Sequence, residues 1–234
     1  MQWVARFRTI VWMPFFYVGT VLLVLASGLA SLISTPALVA TVRFWPRWQR
    51  LCARVILGQK VCVDGVLPVG PAFIVIKHED MFETIDMPLM FNRPAVFAKQ
   101  ELFDMPLWGR LAHRYGLIAI QREAGASALR AMRKAALAAH AAGRPLVLFP
   151  EGTRVPHGEA PPLRSGFAGL YSLLKLPVVP IAVDSGRSKR GWVRIPGTIT
   201  YRVGSAIPAG LDRAEAERQV HDAINALNGP PIAD

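Results

Sequence analysis

No charged side chain occurs between Thr9 and Val42, a run of 34 residues. A bilayer-spanning helix needs about 20 apolar residues, so this run holds one with room to spare. The spacing predicts a spanning helix bounded by Pro14 and Pro36, because proline is better tolerated at helix ends than inside them. A helical hairpin that enters one leaflet is the second arrangement the length allows. The basic, aromatic stretch from Arg43 to Arg50 would then lie along the membrane surface. Trp12, Tyr17, Trp45 and Trp48 sit near the ends of the run, where amphipathic rings favour the interface. A cleaved signal peptide fits poorly, since its apolar region is usually about 7–15 residues long. Arg6 and Arg8 precede the run, and Arg43, Arg47, Arg50 and Arg54 follow it. That asymmetry places the rest of the chain on the cytoplasmic side.

The 234 residues suffice for one core plus an appendage, divided here into an anchoring segment 1–57 and a domain 58–234. Apolar residues make up 52% of the chain and mean hydropathy is +0.31, high for a soluble domain. Net charge is +11, and the first acidic residue is Asp64. A basic, apolar N-terminal quarter suits anionic lipid headgroups. Nucleic acid is the rival partner for a basic chain, but no recognised binding motif accompanies the charge. Cys52 and Cys62 have no metal-ligand spacing with histidines and read as reduced core residues, which favours a cytoplasmic domain.

After Gly58 short apolar runs alternate with helical stretches. Strands are predicted at Val61–Val63, Phe73–Ile76, Ala95–Ala98, Leu117–Ile120, Leu146–Phe149, Val178–Val183 and Ile199–Val203. Helices are predicted at Ser127–Ala142, Gly166–Leu174 and Arg213–Leu227, and a surface loop at Gly191–Gly197. This alternation predicts an α/β fold: a mixed, largely parallel sheet flanked by helices, behind an N-terminal membrane-embedded helical segment.

His78 directly follows a strand, where open α/β sheets meet their ligands. Four residues intervene before Glu83. On one ideal helix that spacing puts the two on different faces. They meet only if His78 lies in the turn and Glu83 in the first helical turn. The carboxylate would then hold the Nδ1 proton and leave Nε2 as a base. Asp80 and Glu83 also have the spacing of a capping box, so a purely structural role stands beside the chemical one. Asp80 and Asp86 compete as partners for the histidine. His78-Glu79 resembles the start of a zincin motif, but Phe82 stands where a second histidine is required, so no metal site is expected. Lys99, Arg122 and Arg154 each follow a strand or its turn. Cations at three strand ends can converge on a phosphate, and arginine can bind one bidentately. Gly152 permits a positive φ or a close backbone approach.

Together these segments resemble the glycerolipid acyltransferase family, of the bacterial 1-acyl-sn-glycerol-3-phosphate acyltransferase type. Four ordered blocks carry the resemblance between about Phe73 and Val183. They are His78 with Glu83, the strand leading to Arg122, the turn Glu151-Gly152-Thr153-Arg154, and the apolar strand Val178-Val179-Pro180-Ile181-Ala182. Lys99-Gln100-Glu101-Leu102 looks like the family's lysine-bearing segment. Glu83 departs from the usual aspartate and Lys77 from a commoner asparagine.

The resemblance implies transfer of a fatty acyl group from a thioester to the 2-hydroxyl of lysophosphatidic acid. His78 and Glu83 would be catalytic. Lys99, Arg122, Glu151, Gly152, Thr153 and Arg154 would form the acceptor site. It implies no cofactor, with acyl-coenzyme A or acyl carrier protein as donor substrate, a lipid acceptor, and a bacterial inner membrane location with the catalytic domain facing the cytoplasm. Other acceptors (glycerol 3-phosphate, a lysophospholipid, a lyso-aminolipid) and a non-catalytic anionic-lipid-binding protein are the alternatives.

Overall fold

The computed structural model describes residues 2–120 and 125–229. The uncharged run folds back on itself. Helix α1 (Gln2–Ile33) is followed at once by α2 (Thr35–Val42) and α3 (Phe44–Cys52), which ends in a π-helical turn, Ala53–Leu57. Ser34 caps α2 by accepting from Ala37 N at 3.1 Å, and Pro36 occupies its first turn, where no amide donor is lost. The return path runs antiparallel to α1, as the hydrogen bond from Trp45 Nε1 to Thr20 Oγ1 shows (3.1 Å). The arrangement is thus a helical hairpin. Among the described residues α1 alone is a helix long and apolar enough to cross a membrane, but the basic residues of α3 return to the level of its middle.

Pro14 does not bound the first helix, which runs straight through it. Membrane helices accept proline where the freed carbonyl finds other partners. Trp12 is not at an interface either. It is buried, stacked on Phe16 at 4.8 Å, with the Arg194 guanidinium 4.9 Å from its ring. Ala5, Thr9, Trp12 and Phe16 form the face of α1 that packs on the protein. Trp3, Phe7, Ile10, Val21, Leu25, Leu29 and Leu32 form an exposed apolar stripe on the opposite face. Intervals of three and four residues put each set on one side of the helix.

The remaining chain builds a seven-stranded sheet from β1 (Gln59–Asp64), β2 (Phe73–Ile76), β3 (Ala95–Lys99), β4 (Ile118–Ile120), β5 (Leu146–Leu148), β6 (Val178–Val183) and β9 (Gly197–Val203). Its order is β1-β9-β6-β2-β5-β3-β4. The five strands from β6 to β4 are mutually parallel; β9 pairs antiparallel with β6 and parallel with β1. The sheet is mixed and mostly parallel, as the alternation of elements predicts. β2 is buried along its whole length, as expected for a central parallel strand covered on both faces.

Helices α7 (Gly125–Ala141), α8 (Ser165–Leu174) and α9 (Arg213–Ile224) cover one face through Phe73, Val75, Leu146 and Leu148. Helix α4 (Met81–Met90) covers the other through Ile74, Ile76, Val147 and Ile181. The N-terminal hairpin packs on that second side. Gln49 Nε2 donates to Phe82 O at 2.9 Å, and Arg50 grips the buried Asp86 through two bonds of 2.8 and 2.7 Å. Arg50 therefore binds inward rather than to lipid.

Two short helices, α5 (Gln100–Phe103) and α6 (Trp108–Tyr115), close the far end of the sheet. The segment Gly191–Gly197 is more ordered than a surface loop. β7 (Lys189–Arg190) and β8 (Val193–Arg194) pair as a hairpin there, seated on α1 by Thr9 Oγ1, which accepts from Arg194 N at 3.0 Å. Cys52 is buried as expected, whereas Cys62 is exposed, because β1 is an edge strand; both are free.

Candidate active site

β6, β2 and β5 lie side by side and parallel, so their carboxyl ends open on one edge with β2 in the middle. His78 leaves β2 there. The turn Glu151–Arg154 leaves β5 on one side, and a 3-10 turn, Ser185–Ser188, leaves β6 on the other. The site is assembled by sheet order.

His78 Nδ1 lies 2.9 Å from Glu83 Oε1. Glu83 can reach because Asp80 caps α4, which puts Glu83 in the first helical turn. The capping box is complete as well: Asp80 accepts from Met81 N and Phe82 N, and Glu83 Oε1 accepts from Asp80 N at 2.7 Å. The structural and chemical readings of this spacing are therefore both fulfilled by one carboxylate. Glu79 N also donates to Glu83 Oε1 (2.7 Å), and Ser185 Oγ donates to Oε2 (2.7 Å). Three donors besides the histidine suit an acceptor-only, ionised carboxylate, and such a group takes its remaining hydrogen bond from Nδ1–H. The proton then sits on Nδ1 and Nε2 carries the lone pair. The ring packs against Phe149, centroids 4.5 Å apart, and stays partly exposed.

The competitors are engaged elsewhere. Asp86 is bound to Arg50. Asp80 faces Arg194 at 2.9 Å; burial alone would raise its carboxyl, but that guanidinium and Lys189 hold it below its usual value.

Glu151 is 2% exposed, so its side chain faces inward. Oε1 accepts from Lys77 Nζ at 2.8 Å and Oε2 from His78 N at 2.9 Å. Lys77 Nζ also donates to Glu159 O and Asn225 Oδ1, both at 2.7 Å. This lysine, which the sequence marks only as a substitution for asparagine, ties the ends of β2, β5 and α9 together. Gly152 has φ +66°, the left-handed conformation that favours glycine. Val155 N donates to His78 O at 2.7 Å and fixes the far side of the turn, leaving Thr153 and Arg154 exposed between the two anchors. Among the described residues Arg154 has no ion-pair partner. Lys99 is exposed at the end of β3, on the same edge, with β5 between it and β2. Arg122 lies outside the described residues.

A cavity of about 270 Å³ lies along α4, which lines it with Met81, Thr84, Ile85 and Pro88. Thr84, Ile85, Ala98, Leu102, Val24 and Trp45 contribute to its almost wholly apolar wall. Domain and N-terminal hairpin thus enclose it jointly.

Residues 60–184 match the family described as acyltransferase. A 1-acyl-sn-glycerol-3-phosphate acyltransferase of Pseudomonas aeruginosa is 30% identical over 197 residues, which is 82% of this chain and 77% of that protein. A lyso-ornithine lipid O-acyltransferase of the same organism is 31% identical over 238 residues, covering 87% and 88%. The crystal structure of a 1-acyl-sn-glycerophosphate acyltransferase from Thermotoga maritima superposes with a TM-score of 0.74 at 18% identity, covering 95% of both chains. The chain belongs to the acyltransferase family and is like the 1-acyl-sn-glycerol-3-phosphate acyltransferases within it.

Proposed function

We propose that this protein transfers a fatty acyl group from a soluble thioester, acyl-coenzyme A or acyl carrier protein, to the 2-hydroxyl of lysophosphatidic acid, giving phosphatidic acid. The observation that carries the reading is the 2.9 Å contact of His78 Nδ1 with Glu83, a carboxylate that also accepts from three other donors. His78 Nε2 takes the proton of the acceptor hydroxyl as its oxygen attacks the thioester carbonyl. The tetrahedral oxyanion collapses, the carbon–sulfur bond breaks, and the departing thiolate takes the proton back from His78. Glu83 orients the ring and stabilises its cationic form. No covalent enzyme intermediate arises, because the substrate alcohol is the nucleophile. Arg154 clamps the acceptor phosphate, with Lys99 adding positive charge at the same sheet edge and Glu151, Gly152 and Thr153 shaping the turn; Arg122 is assigned to the acceptor site by its sequence block alone. The apolar cavity beside α4 receives an acyl chain.

Residues 1–57 anchor the protein and residues 58–234 carry the chemistry. An exposed stripe that runs the length of α1, about 46 Å at 1.5 Å per residue, exceeds the roughly 30 Å hydrocarbon core. It suits a hairpin lying in one leaflet of the bacterial inner membrane, with the domain on the cytoplasmic side, where soluble thioesters are at hand. The lyso-ornithine lipid relative favours a second reading, in which the acceptor is a lyso-aminolipid without phosphate.

An assay of thiol release with each acceptor in turn decides the matter. Release that depends on lysophosphatidic acid supports the first reading, and release that depends on lyso-ornithine lipid supports the second. Acceptor-independent release marks a thioesterase, and no release a lipid-binding protein. Within the first reading, Arg154→Ala should raise the KM for lysophosphatidic acid by roughly 10–100-fold, the loss of a hydrogen bond to a charged group. An unchanged acceptor KM would remove Arg154 from the clamp.

A further inference from the structure

Glu83 uses its two carboxylate oxygens unequally. Oε1 meets His78 Nδ1 at 2.9 Å and accepts from Glu79 N and Asp80 N, both at 2.7 Å. Oε2 accepts from a hydroxyl, Ser185 Oγ, at 2.7 Å. Bonds on one oxygen fix where that oxygen lies. They leave the carboxylate plane free to swing, because the last torsion of a glutamate side chain is soft. A bond on the second oxygen fixes the plane. Ser185 and Glu83 are both buried, so bulk water does not stand in for the hydroxyl.

The turn that presents Ser185 is braced on several sides. Asp184 ties its start to β9, with Thr200 N donating to Asp184 Oδ1 at 2.6 Å. Arg187 N closes it by donating to Asp184 O at 3.0 Å. Gly186 N donates to Glu79 Oε2 at 2.8 Å, and His157 Nδ1 meets Glu79 Oε1 at 3.0 Å. A Cβ on Gly186 would stand 3.0 Å from Glu79 Oε2 and 3.2 Å from His157 Cβ, so the turn lies tight against the segment after β2. The end of β6 therefore holds Ser185 at a fixed place relative to the end of β2, which carries His78.

We infer that Ser185 is a positioning residue for acyl transfer: its hydroxyl fixes the plane of the Glu83 carboxylate, so that Oε1 aims a lone pair at His78 Nδ1. This rests on His78 as the base and applies to any acceptor alcohol. An aligned hydrogen bond counts most when the imidazole is cationic. That cation forms twice, on the enzyme at low pH and in the transition state as the acceptor proton arrives. Losing the alignment therefore has two linked readings. It moves the acid limb of the kcat/KM profile to lower pH, and it lowers kcat. A shift of about one pH unit and a factor of about ten in rate are the same free energy. The titratable groups around this pair are Glu79, Asp80, Asp86 and Tyr201 near Glu83, with Lys77 and Glu151 behind His78. All of them are retained in a Ser185 variant, so a difference between profiles belongs to the hydroxyl.

The test is acceptor-dependent thiol release by the purified full-length protein across the acid and neutral range, with thermal unfolding measured beside it. Ser185→Ala should lower kcat by roughly 3–10-fold, leave the acceptor KM unchanged, and bring the acid limb down by about 0.5–1 pH unit. Ser185→Thr keeps the hydroxyl and should recover both values. A fall in kcat with an unmoved acid limb marks a merely structural serine and overturns the inference. An acid limb that moves up also overturns it, since the hydroxyl would then only share the carboxylate's charge. So does a wild-type kcat in Ser185→Ala, or a Ser185→Thr that unfolds at the wild-type Tm yet keeps the alanine values. If the extra methyl of threonine lowers the Tm, the alanine profile alone decides. Wild type without acceptor-dependent release, or near-normal turnover by His78→Ala, overturns the function instead.

Discussion

Replacing His78 with alanine is expected to lower acyl transfer by roughly 10²–10⁴-fold, the usual effect of losing a general base. The expectation is specific because the ring does little structural work. It is partly exposed, packs on Phe149, and holds Glu83 through one bond among four. Glu151 binds the backbone amide of residue 78, and Val155 N binds its carbonyl, so alanine retains both anchors. Fold and acceptor binding should survive. The measurement is acceptor-dependent thiol release by purified protein, with thermal unfolding as a control for folding. Near-normal turnover would sink the base assignment. Glu83→Ala is a poorer probe, since it removes part of a helix cap and the acceptor of two backbone amides along with the histidine's partner.

Much of this site is legible in the sequence because its signals are local. His78 after an apolar strand, Asp80 and Glu83 at capping distance, and Gly152 in a tight turn each follow from neighbouring residues. All seven strand predictions fall on the sheet; the buried parallel strands read as continuous apolar runs, and β1 and β9 as β-branched or alternating ones. What escapes is tertiary. Lys77 and Glu151 are 74 residues apart, and His157 and Glu79 are 78 apart. No spacing rule joins them; only the order β6-β2-β5 does. α5 and α6 are too short to show a period, with one turn and eight residues. Trp12 misleads for a related reason. An aromatic near the end of an apolar run favours the interface, but here the β7–β8 hairpin and Arg194 cover it.

Lys77→Ala should destabilise the protein by about 3–5 kcal/mol, because it strips a buried carboxylate of its counter-charge. Lys77 is wholly buried, and its ammonium uses all three donors, on Glu151, Glu159 and Asn225. Alanine leaves Glu151 Oε1 and two further acceptors without that donor. For a chain of this size the loss corresponds to a fall in Tm of roughly 6–20 °C. The double variant Lys77→Met with Glu151→Gln separates the charge effect from the packing effect. Methionine roughly restores the volume, and glutamine can still accept from His78 N, so no buried charge is left unpaired. Replacing both members of a buried pair is often close to neutral, whereas removing one is not. The double variant should therefore regain most of the lost Tm. Thermal unfolding in one detergent, for wild type and both variants, reads the difference. If Lys77→Ala unfolds within 2 °C of wild type, the ion pair does not hold the strand ends together. If the double variant unfolds no higher than Lys77→Ala, the loss comes from the two other acceptors rather than from the uncompensated charge.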